Sequence, residues 1–419
     1  MSTNPSSARM RVVIIAPSGV GVIGGQEVES ALLFRHWHGD PEVDVAFLPN
    51  NPASPIWLRK FEQIRYLRTV VRLPIFLWSV WRAASRANAL HAFSASYGSF
   101  VLNCVPIWLI SKLRGKAFVL NYHTARDWKR FASSRLAQSV LRRTERIVVP
   151  SPFLAAKFEE IGFPTCVVPN IIDEARFKYR PRNPLRPAAI CTRNLGPDYG
   201  IEVVIEAFAI VLRHQPSATL YLIGDGPLRN KLESLVQALG LSGHVQFCGA
   251  MPNEKVAEWY ERADIFVNAS FLDNSPLSIL EAMSSGVPVV TTAAGGIPSM
   301  VCHEGTALLC PVGNSRALAE QVVRLLREPE LALNMAHRAH GELGMHHWAL
   351  VRQKWLEVYG CHNPTPRDYS FSSQGQDRAL QESKCSKRRT GIRLALYAPA
   401  GQAHPKLWRR ASSTADIPS

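Results

Sequence analysis

Residues 273–298 read DNSPLSILEAMSSGVPVVTTAAGGIP, and this segment carries the clearest local signals in the chain. Ser275 followed by Pro276 predicts the start of a helix, because serine caps helices and proline is tolerated at the first helical position. Gly286 predicts the end of that helix. The β-branched run Val287–Thr291 then predicts a short buried strand. A helix that leads into a buried strand is typical of a parallel α/β sheet.

The same alternation of short β-branched runs and longer helical patterns extends through two blocks, residues 10–168 and residues 188–345. Units of this kind build parallel sheets that are covered by helices on both faces. The sequence therefore predicts two tandem Rossmann-like, doubly wound domains with a ligand in the cleft between them. Residues 169–187 are rich in proline and have no clear period, so they are the predicted linker.

The ends of the chain give further expectations. Residues 1–9 predict a flexible N-terminus, residues 346–360 a closing amphipathic helix, and residues 361–419 a basic, disordered tail. The start of the chain lacks the apolar core of a secretory signal. No run reaches the roughly 18 apolar residues that a membrane-spanning helix needs. We therefore expect a cytoplasmic protein, free or peripheral on the inner face of the membrane.

The net charge and the cysteine content limit the kinds of partner and cofactor that the protein is expected to bind. The formal net charge of +15 predicts an anionic partner, either a membrane surface, a phosphorylated ligand or nucleic acid. No nucleic-acid recognition module is visible, so nucleic acid is not expected. The eight cysteines are scattered without a Cys-x-x-Cys pair, which predicts reduced thiols. No metal-ligand spacing is present, so neither a metal nor another cofactor is expected.

Two carboxylates flank the predicted helix of the opening segment. Asp273 lies in the loop before the helix, and Glu281 lies in its second turn. The start of a helix offers free N–H groups and a positive dipole end, which suit a phosphate. Carboxylates beside it would accept hydrogen bonds from sugar hydroxyls. The alternative interpretation is a cap-region acid and a charge on the helix surface, and the residues alone leave both open.

The wider pattern resembles a known family. Asp273 and Glu281, then Ala-Met-x-x-Gly-x-Pro-Val-Val and Gly295-Gly296-Ile297-Pro298, resemble the signature of the family 4 (group 1) retaining glycosyltransferases. These nucleotide-sugar-dependent enzymes have the GT-B architecture of two Rossmann-like domains facing across a cleft. The family usually has Glu where this chain has Asp273. The resemblance covers residues 10–360 and implies an acceptor-side first domain and a donor-binding second domain.

The resemblance also implies roles for individual residues. "NYHTARDW" matches the family's active-site histidine at His123, and the implied catalytic residues are His123, Arg193 and Asp273. Glu281 would bind the donor ribose, and the backbone of residues 275–278 would hold the diphosphate. The implied donor-binding set is Gly24, Gly25, Arg193, Gly224, Gly226, Asn274, Ser275, Pro276, Leu277, Ser278 and Glu281.

One departure from the family affects the expected diphosphate site. In "CTRNLGPDYGIE", Arg193 matches the family's arginine, but Tyr199 stands where a lysine is usual. Losing that lysine removes a cation from the leaving group. Arg229 and Lys231 could supply charge, although their helical context favours surface positions. Arg126, near His123, fits either a ligand contact or a solvated charge, and it is not included among the catalytic residues.

Residues 57–86, WLRKFEQIRYLRTVVRLPIFLWSVWRAASR, mix cations with aromatic side chains. This mixture fits an interfacial segment, in which cations meet anionic lipid headgroups and Trp and Phe enter the apolar boundary. An ordinary pair of helices with aromatic residues in the core fits equally well. An anionic membrane surface is therefore one of two open interpretations of this segment.

The predicted function is a retaining glycosyltransferase that moves a sugar from a nucleotide-diphosphate donor to a lipid-linked or saccharide acceptor. Cell-surface polysaccharide, lipopolysaccharide or glycolipid biosynthesis is the expected setting. A catalytically weak or non-catalytic protein that binds sugar nucleotides on the same fold is the alternative, because of Tyr199.

A third hypothesis, an NAD-dependent oxidoreductase, comes from the Gly-x-Gly-x-x-Gly pattern of "SGVGVIGGQ" at residues 18–26. That site needs an acid at the end of the second strand. Asp44 lies at the beginning of that strand instead. The family resemblance assigns the pair Gly24-Gly25 a different role, in which the backbone of the first domain closes over the phosphates of the donor.

Overall fold

The computed structural model describes residues 9–18, 24–52, 67–94 and 96–361, and of residues 67–71 the backbone alone. The predicted flexible start, apart from Arg9, and the predicted tail beyond Cys361 lie outside these residues. Within them, two parallel six-stranded sheets flanked by helices confirm the predicted α/β class and the two tandem Rossmann-like domains.

The first sheet has the strand order β2-β1-β3-β4-β5-β6. Its strands are β1 Met10–Ala16, β2 Val43–Pro49, β3 Ala89–Ser94, β4 Ala117–Tyr122, β5 Arg146–Val149 and β6 Cys166–Val167. Its helices are α1 Gly25–Trp37, α2 Leu67–Ala84, α3 Tyr97–Ser99, α4 Val105–Leu113, α5 Trp128–Ser133, α6 Arg135–Leu141 and α7 Pro152–Glu159, and a π-helical turn at Phe100–Cys104 joins α3 to α4.

The second sheet has the strand order β12-β11-β10-β7-β8-β9. Its strands are β7 Ala188–Thr192, β8 Thr219–Ile223, β9 Val245–Gly249, β10 Ile265–Asn268, β11 Val289–Thr292 and β12 Leu308–Cys310. Its helices are α8 Ile201–His214, α9 Arg229–Ala238, α10 Asn253–Arg262, α11 Leu277–Ser284, α12 Ser315–Arg327 and α13 Pro329–Gly341, with 3₁₀ turns at Ile297–Ser299 and Glu342–His346. The last helix of the described chain is α14, Trp348–Tyr359.

Both faces of each sheet are buried. In β1, Val13 and Ile15 belong to one core cluster, while Val12 and Ile14 belong to the cluster on the opposite face. Successive side chains of a strand point to opposite faces, so a sheet covered on both sides needs continuous apolar strands. This requirement explains the continuous apolar sequence of central strands such as β1, MRVVIIA.

The strand order determines where a ligand can bind. In the first sheet, β2 is added on one side of β1 and β3 on the other, so the order in which strands are added reverses at β1. In the second sheet the corresponding strand is β7, which pairs with β8 and β10. Ligands of such sheets bind beyond the carboxyl ends of the strands at these reversal points. The loops after β1, β7 and β10 are therefore the expected site-forming loops.

Several local details differ from the sequence prediction. The pattern over residues 128–142 predicts one helix, but the helix is broken at Ser134, whose hydroxyl caps α6 by accepting the Ala137 N–H at 3.2 Å. Pro276 has extended backbone and is the N-cap, so α11 begins at Leu277, one residue later than predicted. Strand β12 and helix α13 were not predicted from the sequence.

The closing helix α14 packs against the first domain. Trp355 and Tyr359 are buried in the same cluster as the β1 residues Val12 and Ile14. The ring of His91 on β3 lies 4.6 Å from the Trp355 ring, and its Nδ1 is 2.9 Å from the Tyr359 hydroxyl. The C-terminal helix of the described chain therefore completes the core of the N-terminal domain.

The predicted linker has neither helix nor strand between β6 and β7 and is held by hydrogen bonds. The Ile171 N–H donates to both carboxylate oxygens of Glu29 on α1, at 3.3 and 3.2 Å. The Asn170 side chain donates to the Ser275 carbonyl oxygen at 2.9 Å. Glu29 is buried, and this burial raises its pKa to about 8, against a partly opposing hydrogen bond from Ile171.

We predict that Trp355→Ala lowers the free energy of unfolding by about 3–5 kcal/mol, because it opens a cavity where α14 meets the first domain. Leu350→Ala, at an exposed position of the same helix, should change it by less than about 0.5 kcal/mol. Urea titration followed by circular dichroism measures both values. Equal losses in the two variants would contradict the docking of α14 through Trp355.

We also predict that Glu29→Gln removes part of the pH dependence of stability. The Glu29 carboxyl keeps its proton up to about pH 8 in the folded protein but loses it near pH 4.5 when unfolded. The folded state thus binds one more proton between these values, so the stability of the wild type falls as pH rises.

A glutamine at position 29 still offers an oxygen to the Ile171 N–H and cannot ionise. The stability of Glu29→Gln relative to wild type should therefore increase from pH 5 to pH 8, by an amount on the order of a few kcal/mol. Urea midpoints across this pH range measure the difference. The matched variant Glu206→Gln, at an exposed position on α8, should follow the wild type, and a Glu29→Gln curve parallel to both would refute the prediction.

Candidate active site

A cavity of about 520 Å³ lies between the two domains. The first domain contributes residues 24–28 at the start of α1 and residues 123–126 after β4. The second contributes residues 192–194 at the end of β7, and residues 272–278 before and within the start of α11. The loops at the carboxyl ends of the central strands therefore face one another, as the strand order requires.

The structure brings nearly all of the predicted site residues to this cavity. Gly226 is the exception, because it packs behind the site. The predicted residues that line the cavity are Gly24, Gly25, His123, Arg193, Gly224, Asp273, Asn274, Ser275, Pro276, Leu277, Ser278 and Glu281.

The two predicted glycines after β8 shape the loop that carries Arg193. Gly224 has a φ of +137°, and a Cβ at this position would lie 2.2 Å from the Arg193 carbonyl oxygen. A Cβ at Gly226 would lie 2.6 Å from the Leu195 carbonyl oxygen. Both contacts are too close for any side chain, so glycine is required here for packing. Gly226 therefore supports the site from behind.

A second close approach fixes the loop that carries Asp273. Gly295 has a φ of +55°, and a Cβ there would lie 2.0 Å from the Asp273 carbonyl oxygen. Next to it, Gly296 donates its N–H to the same oxygen at 2.9 Å. The Gly295-Gly296 pair therefore lets the turn after β11 pack directly against the backbone of the Asp273 loop.

The start of α11 opens into the cavity. Among the described residues no side chain caps this helix, and residues 275–278 line the cavity. From the opposite domain, Gly25 faces it, with the position of a Cβ 4.0 Å from Cδ1 of Leu277. The first N–H groups of a helix lack intrahelical partners and carry the positive end of its dipole. This end of α11 is therefore suited to an anion.

Arg193 and Asp273 form an ion pair across the ends of β7 and β10. The Arg193 guanidinium also donates to the Ser278 hydroxyl at 3.3 Å, and it lies 4.4 Å from the centre of the Tyr199 ring. The Ser270 hydroxyl donates to the same Asp273 carboxylate at 3.1 Å. Both charged groups are thus held in fixed positions beside the start of α11.

Glu281 is buried at the base of the cavity. Its burial raises the pKa of its carboxyl to about 7, against a smaller opposing effect of the Tyr260 hydrogen bond. The Tyr260 hydroxyl lies 3.1 Å from Oε2 of Glu281 and 3.0 Å from the Ser278 carbonyl oxygen. The sequence did not single out Tyr260, since its place on a helix with mixed residues gives no signal of a site.

His123 lines the cavity where β4 ends. Its ring stacks on Phe93 at 5.2 Å, and its Nε2 is buried with no hydrogen-bond partner among the described residues. Burial lowers the pKa of His123 to about 3, so the imidazole is neutral at ordinary pH. A neutral ring with a free nitrogen is able to form a hydrogen bond with a ligand.

Among the described residues, Asn274 and Arg126 make polar side-chain contacts across the cleft. Asn274 donates from its side chain to the His123 carbonyl oxygen at 3.3 Å and accepts from the Ser151 hydroxyl. Arg126 forms an ion pair with Asp198 of the second domain. The sequence left Arg126 open and missed Ser151 and Asp198, because contacts between domains leave no periodic signal.

The other predicted cations lie on the surface of the second domain. Arg229 pairs with Glu233 at 2.8 Å, and Lys231 pairs with Glu202 at 3.3 Å, both outside the cavity lining. In the described parts of the chain, no group of three His, Cys, Asp or Glu side chains could hold a metal ion. That the reaction needs no metal stays a prediction.

Two family models match consecutive parts of the chain. The model described as Glycosyltransferase Family 4 matches residues 8–176. The model described as Glycosyl transferases group 1 matches residues 173–341. The boundary between the two matches falls in the predicted linker.

Individual relatives agree with the family models. The chain is 37% identical over 139 residues to the N-acetyl-alpha-D-glucosaminyl L-malate synthase of Bacillus anthracis, which covers 33% of this chain and 36% of that protein. It is 32% identical over 191 residues to the GDP-mannose-dependent alpha-(1-6)-phosphatidylinositol monomannoside mannosyltransferase of Mycolicibacterium smegmatis, covering 43% of this chain and 48% of that protein. The chain thus spans less than half the length of either relative.

The fold is similar to that of Anabaena HepE, whose crystal structure contains UDP-glucose. The two share a TM-score of 0.67 at 19% sequence identity, over 84% of this chain and all of that one. A similarity at this level of identity shows the fold alone. Together with the family models, it identifies the chain as a member of the group 1, family 4 glycosyltransferases, with the GT-B arrangement of two Rossmann-like domains.

Proposed function

We propose that the protein is a retaining glycosyltransferase that uses a nucleotide-diphosphate sugar and needs no metal ion. Its acceptor is a lipid-linked molecule or a saccharide, within the synthesis of cell-surface polysaccharide, lipopolysaccharide or glycolipid. The observation that carries this proposal is the arrangement at α11. Its uncapped start opens into the cavity between two carboxylates, Asp273 and Glu281, with the Arg193 guanidinium beside it.

The proposed donor complex follows from this arrangement. The diphosphate would accept hydrogen bonds from the backbone N–H groups at the start of α11 and from Arg193. The ribose hydroxyls would meet Glu281, while hydroxyls of the transferred sugar would meet Asp273 and the neutral imidazole of His123. The N-terminus of α11 and Arg193 together would stabilise the negative charge that develops on the departing diphosphate.

The proposed reaction is a substitution on one face of the sugar. The bond between the anomeric carbon and the β-phosphate oxygen breaks, and a bond to the acceptor oxygen forms on the same face. The acceptor proton passes to the departing phosphate oxygen, so His123 need not titrate. Its low pKa suits this role, because a neutral ring stabilises the transition state by a hydrogen bond without adding charge.

Two of the similar proteins support a nucleotide-sugar donor. The Mycolicibacterium relative is described as GDP-mannose-dependent, and the Anabaena structure contains UDP-glucose. A binding screen should therefore include both UDP- and GDP-sugars.

One observation supports the alternative of a catalytically weak or non-catalytic protein: Tyr199 stands at the position where lysine is expected. A sugar-transfer assay distinguishes this alternative from an active enzyme. The family assignment replaces the oxidoreductase hypothesis. In agreement with this, Asp44 lies at the start of β2, and the strand ends at Pro49 without a carboxylate.

We further propose that α2 contacts an anionic membrane surface. Trp78 and Trp81 are 62% and 42% exposed on α2, and each has an arginine near its ring, Arg82 at 5.6 Å and Arg114 at 4.0 Å. Exposed tryptophan beside arginine is typical of an interfacial surface. No helix of the described chain is long and apolar enough to span a bilayer. Residues 57–66 of the predicted interfacial segment lie outside the described residues.

We predict that Glu281→Ala weakens binding of the nucleotide-sugar donor by tenfold or more, because the ribose loses its carboxylate partner. Glu281→Gln keeps the shape of the site and should lose a smaller part of the affinity. Isothermal titration calorimetry with a panel of UDP- and GDP-sugars measures both effects, and a transfer assay follows with the sugar that binds. Glu258→Ala, an exposed glutamate on α10, serves as the control. The proposed function fails if no sugar nucleotide binds, or if Glu281→Ala binds as the wild type does.

For the membrane surface, we predict that the double variant Trp78→Ser/Trp81→Ser binds vesicles containing phosphatidylglycerol about tenfold more weakly than wild type, since burial of both rings is lost. Sedimentation with these vesicles and with phosphatidylcholine vesicles measures the partition. Leu239→Ser, at an exposed apolar position of the second domain, is the matched control. Equal binding of wild type and double variant would overturn the proposal.

A further inference from the structure

More acidic than basic side chains line the cavity, although the proposed ligand is an anion. Four carboxylates line it, from Glu27, Asp198, Asp273 and Glu281. Of the described lining residues, only Arg126 and Arg193 carry a permanent positive charge. A diphosphate adds further negative charge to such a site, so each cation within reach matters for binding it.

Arg193 alone is poorly placed to neutralise a diphosphate. Its guanidinium is already paired with Asp273 and bonded to Ser278, and it is only 11% exposed. The face of its guanidinium lies on the ring of Tyr199, which occupies the position where a second cation was expected. Tyr199 can hold the orientation of Arg193 through this stacking, but it adds no charge of its own.

Arg126 of the first domain lines the same cavity as Arg193 and Tyr199 of the second domain. It lies three residues after His123, in the loop after β4, and its guanidinium pairs with Asp198. Asp198 directly precedes Tyr199 in the chain, so this ion pair brings a guanidinium beside the position that lacks a lysine. This cavity is lined by all four of these residues: Arg126, Asp198, Tyr199 and Arg193.

The present partner of Arg126 holds it weakly. The side chains of Arg126 and Asp198 are 52% and 33% exposed, and ion pairs in water contribute little to stability. An arginine offers a planar fork of donors that matches a phosphate. A diphosphate in the cavity would therefore compete well with the single carboxylate of Asp198.

We propose that Arg126 is a diphosphate-binding residue that replaces the lysine missing at Tyr199, and that Asp198 holds its guanidinium at the cleft until the donor binds. This inference rests on the proposed function. Because Arg126 belongs to the first domain and Arg193 to the second, the negatively charged diphosphate would bind an arginine from each domain. Donor binding would thereby favour the closed cleft.

The test compares a nucleoside diphosphate with its monophosphate. Calorimetric titration of the full chain with UDP, UMP, GDP and GMP gives four affinities for each variant. Arg126→Ala should weaken binding of the diphosphate by about tenfold or more and change binding of the monophosphate by less than about twofold. Arg130→Ala removes the same charge four residues away and outside the cavity lining, and it should bind both as the wild type does.

Two further variants separate a phosphate ligand from a simple contact between domains. Asp198→Asn frees Arg126 and should keep or tighten diphosphate binding. The double variant Arg126→Ala/Tyr199→Lys should recover most of the lost affinity, because the lysine returns the charge from the second domain. If Asp198→Asn loses as much diphosphate affinity as Arg126→Ala, the ion pair acts only as a contact between the domains, and the proposal is overturned.

The remaining outcomes are also distinct. If the wild type binds UDP or GDP and Arg126→Ala binds it equally well, the proposal for Arg126 fails while the proposed function stands. If Arg126→Ala raises only the KM for the acceptor, Arg126 belongs to the acceptor site and the proposal fails. A double variant that binds no better than Arg126→Ala would show that positions 126 and 199 do not serve the same phosphates. If the wild type binds neither nucleotide, the proposed function fails, and the role of Arg126 fails with it.

Discussion

The ion pair between Arg193 and Asp273 connects the two strand ends that carry the second domain's side of the cavity. Arg193 follows β7 and Asp273 follows β10, and these strands are neighbours because the order of the sheet reverses between them. Parallel strands end at the same edge, so residues that are distant in the sequence meet there. Both groups are largely shielded from water, so removing either would leave an unpaired charge at the start of α11. The position of that helix start relative to β7 therefore depends on this pair.

The same loop also connects the two domains. Asn274, directly after Asp273, bonds to Ser151 and to the backbone of His123 in the first domain. Nearby, Asn170 of the linker bonds to the Ser275 carbonyl oxygen. Opening the cleft would break bonds to the residues that lead into α11. The geometry of the candidate anion site and the contact between the domains are therefore coupled through three consecutive residues of one loop.

Much of this arrangement could be predicted from the sequence, for reasons that are local. Short apolar strands alternating with helices predict the sheet class. The site residues were identified through the family resemblance, whose motif around Asp273, Glu281 and the Gly295-Gly296 pair spans a single helix and turn. Details with little local signal were missed, such as the three-residue strand β12 and the serine that splits α5 from α6. The partners Asp198, Ser151 and Tyr260 were missed for a different reason. Their roles depend on how separate elements pack, and no periodic pattern records such contacts.

The arginine side chains that line the cavity are paired with carboxylates, and this pairing limits the energetic cost of burying them. Each guanidinium in the described lining has a carboxylate partner, Asp273 for Arg193 and Asp198 for Arg126. Neither cation is therefore isolated in a partly buried site, which would be costly. In the proposed donor complex, each arginine would exchange or share its partner with the diphosphate, and the released carboxylates would face sugar hydroxyls or water. His123, kept neutral by burial, adds no charge to this balance. The paired arrangement thus keeps two guanidinium groups in the cavity lining at a low cost in stability, where the proposed diphosphate would meet them.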